Sequence, residues 1–171
     1  YTLNKPLLYY SARLARQHGY EILSVPYTGF PENVRGDARK MQEAFSIALS
    51  QAENILQNVD WDSFTDILFL SKSVGTVVST VFAKRHHLKV RNILFTPLAE
   101  TFSLPTGTAI AFHGTADPWA DTKQLQQLSE ERKVPLFLTE HADHSLETGD
   151  VQTDLQILEA VLKQMEHFLS L

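Results

Sequence analysis

Short apolar runs alternate with amphipathic stretches along the whole chain, and this rhythm limits the possible folds more than any other feature. Residues 66–70 (DILFL), 91–95 (RNILF), 108–112 (TAIAF) and 134–139 (VPLFLT) have the length and apolarity of strands covered on both faces. Helical stretches lie between them, at 37–56, from a turn at 71–75 to about residue 86, at 121–132 and at 151–168. In the first, Met41, Ala44, Phe45, Ala48, Leu49, Ala52, Ile55 and Leu56 recur at i, i+3, i+4 spacing and make one apolar stripe. A helix is also expected over 4–18, with Asn4 as its cap, Pro6 in its first turn and Gly19 as its stop. A further strand is expected over 20–25 (YEILSV), ended by Pro26. This succession specifies a three-layer α/β/α sandwich with a mostly parallel sheet. In such sheets, binding residues sit on loops at the carboxyl ends of the strands.

Composition narrows the chemistry. The 171 residues suit one domain, with no Gly/Ser linker and no internal repeat. The absence of cysteine excludes disulfides, thiolate metal sites, iron–sulfur clusters and a cysteine nucleophile. Fifteen basic against 20 acidic residues leave a net charge of -5, which speaks against a nucleic-acid partner. No apolar run approaches the roughly 20 residues of a membrane span, so no membrane partner is expected and an intracellular protein is the default. No cofactor is implied.

Three strand-end loops carry chemistry-bearing residues. Ser71-Lys72-Ser73-Val74-Gly75 lies between a strand and a helix, the context of a G-x-S-x-G nucleophile elbow with serine in place of the first glycine. Such a turn strains the middle residue, lifts its hydroxyl above the sheet and puts the next amide, that of Val74, at a helix N-terminus. The plainer reading makes Ser73 an ordinary N-cap and Lys72 a solvated lysine. In His113-Gly114-Thr115-Ala116-Asp117-Pro118, Asp117 can hold an imidazole or cap the next helix. In Glu140-His141-Ala142-Asp143-His144-Ser145, a general base fits; His141, Asp143 and His144 could also bind zinc, although the spacing of H-E-x-x-H is missing. Serine, acid and histidine occur in the chain order of one known triad type, each following a successive strand.

With SKSVGT, HGTADPWA and ADHSL in these places, the chain resembles a compact, lid-less member of the α/β-hydrolase superfamily over nearly its whole length. The resemblance implies Ser73 as nucleophile, Asp117 as acid and His144 as base, with His141 a neighbour. It implies an oxyanion hole of Val74 N–H and a second amide from the N-terminal loop, near Tyr1 and Thr2. In that fold a further strand lies between those expected at 20–25 and 66–70; it is missing from this sequence, so it is expected upstream of Tyr1.

Only PLAETFSLP (97–105) stands where relatives insert a cap, so the expected substrate is a small molecule with a short or exposed acyl group. Trp119, Phe30, Tyr27 and Phe102 are candidates for its rim. An acyltransferase with the same triad, or a non-catalytic binding module of hydrolase-like or flavodoxin-like fold, are the competing readings.

Overall fold

A computed structural model describes residues 2–171. Among these, four parallel strands form one sheet in the order β1 (Leu68–Lys72), β2 (Arg91–Phe95), β3 (Thr108–Gly114) and β4 (Leu136–Thr139). The helices are α1 (Pro6–Gln17), α2 (Ala38–Leu56), α3 (Val74–Arg85), α4 (Thr122–Glu131) and α5 (Val151–Leu169). The expected alternation is present from residue 37 onward. Aspartates start three of the helices: Asp37, Asp121 and Asp150 each accept backbone N–H groups of the first turn. At α1 the cap is Lys5 rather than Asn4 and makes no side-chain bond; Pro6 opens the helix.

Side-chain alternation divides the core into layers. Ile93 and Phe95 of β2, with Ile110 and Phe112 of β3, pack with Leu7 of α1 and with Ile157, Val161, Met165 and Phe168 of α5. The rings of Phe95, Phe112 and Phe137 stack across three strands at centroid separations of 5.6 and 5.2 Å. On the other face, Leu94 and Ala111 meet Phe102 and Leu125, while Ala48, Leu49 and Ala52 of α2 pack with Val78 and Phe82 of α3.

The strand expected over 20–25 does not form. A strand persists by exchanging ladder bonds with a neighbour, and among the described residues β1 pairs only with β2. The stretch has no regular structure, with Leu23 58% exposed. Farther along it is held by α2: Gln51 bonds both the N–H and the carbonyl of Thr28, each at 2.9 Å, and Lys40 Nζ bonds Glu32 O at 2.9 Å. Between this stretch and β1 lies a groove of about 1860 Å³. The open flank also explains why Leu68, Phe69 and Leu70 are half-buried rather than covered on both faces. Tyr20 donates its hydroxyl to Asp66, which also accepts from Arg91 Nη1, and these residues line the groove away from Ser73.

Candidate active site

β1 ends at Lys72 and α3 begins at Val74, so Ser73 alone turns the chain. Its backbone sits at φ 55, ψ -128, a conformation that side-chain-bearing residues avoid. The turn is fixed by Ser73 N–H to Phe95 O at 3.0 Å and by the N–H and hydroxyl of Thr76, which donate to Ser73 O at 2.9 and 2.7 Å. Ser73 occupies the cap position but makes no side-chain cap bond. Its hydroxyl is directed elsewhere. Ser71, in the place of the usual glycine, bonds Ser79 of α3 at 3.1 Å. A Cβ on Gly75 would meet Tyr27 Cε2 at 3.5 Å and Ser71 Cβ at 3.9 Å, which is ordinary contact, so alanine fits there.

The acid and histidine loops are locked together through the backbone. Thr115 N–H bonds Thr139 O at 2.9 Å, Ala116 N–H bonds Ala142 O at 3.0 Å, and His141 N–H bonds Thr115 Oγ1 at 2.9 Å. Gly114 makes this approach possible: a Cβ there would lie 2.2 Å from Ala142 O and 2.7 Å from Asp143 O. Asp117 takes no part in capping α4, a task left to Asp121. Its Oδ1 accepts Trp119 N–H at 2.9 Å, and its Oδ2 lies 2.7 Å from His144 Nδ1.

His144 Nε2 is 2.8 Å from Ser73 Oγ. A carboxylate only accepts, so His144 Nδ1 carries the proton and Nε2 is left to accept from the serine hydroxyl. The Trp119 ring stacks on the imidazole, with centroids 5.2 Å apart and planes at 28°. His141 is exposed and adopts φ 61. Among the described residues no cluster of three His, Asp or Glu side chains suits a metal.

Burial alone would push the Asp117 carboxyl up, but hydrogen bonds from His144 and from Trp119 N–H outweigh it and hold the group below its usual range. His113, fully buried, is pushed down by burial against the opposing charge of Asp117. Its Nε2 lies 3.1 Å from Thr122 Oγ1, and its Nδ1, which has no hydrogen-bond partner, lies 3.6 Å from Asp117 Oδ2. At that separation the imidazole lies beside the carboxylate without bonding to it.

Val74 is the first residue of α3, where the N–H has no partner within the helix. Tyr1 lies outside the described residues. Thr2 is exposed and lines the same groove as Ser73 and His144. Of the expected rim residues, Trp119, Tyr27 and Phe30 line it too, with Tyr27 and Phe30 rings 6.3 Å apart. Phe102 does not. It is 1% exposed, turned inward by the short 3-10 turn Ala99–Ser103 onto Leu94 and Leu125. Leu98, just before that turn, lines the groove instead.

The expectation of a solvated Lys72 also fails. It is 8% exposed, since it ends β1 on the face packed by α1 and α5 rather than standing on the turn. His113 is the site neighbour that the sequence did not single out, and Lys72 the one it placed in solvent; the available signal was their alternation in strand register with apolar residues.

No protein-family model and no curated protein matches the sequence. Solved structures do. An α/β serine hydrolase homologue from Coxiella burnetii superposes with a TM-score of 0.67 at 16% identity, over 95% of this chain and 77% of that one. A lid-less α/β serine hydrolase from Xanthomonas campestris gives 0.58 at 14% identity, over 98% and 75%. Est1E from Butyrivibrio proteoclasticus, solved with ferulic acid, gives 0.65 at 13% identity, over 99% and 84%. The chain has the α/β-hydrolase fold, in a compact form.

Proposed function

We propose that this protein is a serine hydrolase that cleaves a small ester or related acyl bond through an acyl-enzyme. The observation carrying the proposal is the continuous chain from Ser73 Oγ through His144 to Asp117, at 2.8 and 2.7 Å, on a strained turn at the head of α3. Ser73 attacks the carbonyl carbon as His144 Nε2 takes its proton, and Asp117 holds the imidazole in the productive tautomer. The oxyanion develops beside Val74 N–H, and one such donor is worth about 3 kcal/mol of barrier. His144 then returns its proton to the leaving group and activates water to free the acyl group.

The residues around Ser73 favour a short or flat acyl group. The connection between β2 and β3 carries only the 3-10 turn and no cap, and Trp119, Tyr27, Phe30 and Leu98 offer apolar surface along an open groove. The ferulic acid bound by the Est1E neighbour motivates including aromatic esters beside acetate and butyrate esters in a panel.

The test is pre-steady-state hydrolysis of p-nitrophenyl acetate. The wild type should release a burst of one p-nitrophenolate per protein. Ser73→Ala should keep its fold by circular dichroism and lose turnover by about four orders of magnitude or more. Undiminished turnover in Ser73→Ala would refute the assignment.

A further inference from the structure

Lys72 is a buried cation that the chemistry above does not use. Its Nζ donates to Thr96 Oγ1 at 3.0 Å and to the backbone carbonyl of His144 at 2.5 Å. One ammonium therefore joins the end of β1, the end of β2 and the loop that carries the base. The threonine partner is itself unusual: Thr96 is fully buried, β-branched and held at φ 41, with its N–H bonded to Phe112 O at 2.7 Å. Such a conformation persists only where its surroundings over-determine it. Lys72 also immediately precedes Ser73, so the same residue borders the nucleophile and grips the base.

We infer that Lys72 is a positioning residue: its charged amine sets the distance between Ser73 and His144 by tying the histidine loop to the strand that ends in the elbow. This rests on the hydrolase reading above. Among the described residues, charged groups bearing on the amine include Asp117 after β3 and Asp143 and Glu147 after β4, all attractive, with His144 the titratable neighbour whose carbonyl it holds. The attachment thus draws both loops toward β1. Charge strengthens it, because a hydrogen bond from an ionised donor is roughly twice as strong as a neutral one.

Burial works against that charge. It lowers the Lys72 amine from 10.5 to about 8, partly offset by Asp117, Asp143 and Glu147. Above about pH 8 the amine loses its proton and the tie to His144 slackens. Stability has the opposite sign. Between about 8 and 10.5 the unfolded chain holds this proton more tightly than the folded one, so rising pH favours the fold through this group. A loss of reactivity in that window is then distinct from unfolding.

The experiment is the rate of phosphonylation of Ser73 by a fluorophosphonate probe, followed from pH 6 to 10 in wild type, Lys72→Met and Lys72→Arg. The expected wild-type rate falls several-fold above about pH 8 while the melting temperature holds. Lys72→Met, which replaces a buried cation by an apolar side chain of similar length, should fold. It should label about 10- to 100-fold more slowly below pH 8 and lack the alkaline fall, as a misplaced base would. Lys72→Arg keeps its charge to high pH, so it should recover part of the rate and also lack the fall.

A wild-type rate that stays level from pH 8 to 10 would overturn the inference, as would Lys72→Met labelling as fast as wild type. The wild-type profile stands even if Lys72→Arg fails to fold. Absence of wild-type labelling at every pH is a different result. It removes the hydrolase reading and, with it, anything for Lys72 to position.

Discussion

The two walls of the site are built by different means. On one side, the loops after β3 and β4 are joined amide to carbonyl, packed so closely at Gly114 that a methyl group would overlap Ala142 O. On the other, residues 20–34 line the groove without regular structure, attached to α2 by the side chains of Gln51 and Lys40. Backbone bonds in a packed interior fix positions closely, whereas long side chains at a surface permit movement. The difference assigns tasks: the rigid wall holds Asp117 and His144 in register with Ser73, and the looser wall carries Tyr27 and Phe30 to whatever occupies the groove.

Substitutions on the two walls should differ accordingly. The largest effect is expected from Asp117→Asn, which allows the wrong imidazole tautomer and should lower turnover by about 10⁴-fold. This carboxyl is also held below its usual range in the fold, so its contribution to stability is present above its ordinary 3.8 and disappears as pH falls through the lower folded value. The difference in unfolding free energy between wild type and Asp117→Asn should therefore shrink as pH falls through that range; a constant gap would contradict the shift.

Gly114→Ala comes next. The overlap with Ala142 should cost about 1–3 kcal/mol in chemical denaturation and displace the histidine loop, lowering turnover by about 100-fold. Gly75→Ala is its control, since a methyl there meets only ordinary contacts; activity within about threefold of wild type is expected. Equal losses in both variants would break the contrast between the walls.

On the looser side, Gln51→Ala should release Thr28 at a cost of about 1 kcal/mol, raising KM with kcat little changed. A fall in kcat alone would mean that this wall, too, orients the reacting groups. The smallest effect is expected from Leu23→Ser, within about 0.5 kcal/mol, because the side chain is largely exposed. A large loss would show that the stretch is packed in solution.

The same contrast separates what the sequence could and could not reveal. The meeting of Ser73, Asp117 and His144 was legible because each lies at a strand end and strand ends follow from apolar runs. Helix starts were legible at Asp37 and Asp121, where a local bond to the backbone makes the cap. The segment 20–25 was misread because YEILSV has the composition of a strand, whereas a strand is a relation between two segments. Phe102 and Lys72 were misread for a related reason. Their directions depend on a 3-10 turn and on strand phase, which shift by a residue without any change in composition.

The central claim is that the Ser73 hydroxyl is the activated nucleophile, and peptide mapping after treatment with a fluorophosphonate tests it most directly. The account predicts one adduct per chain, located on Ser73 and lost in His144→Ala. An intact, folded protein that takes no adduct, or takes it on another residue, would contradict it.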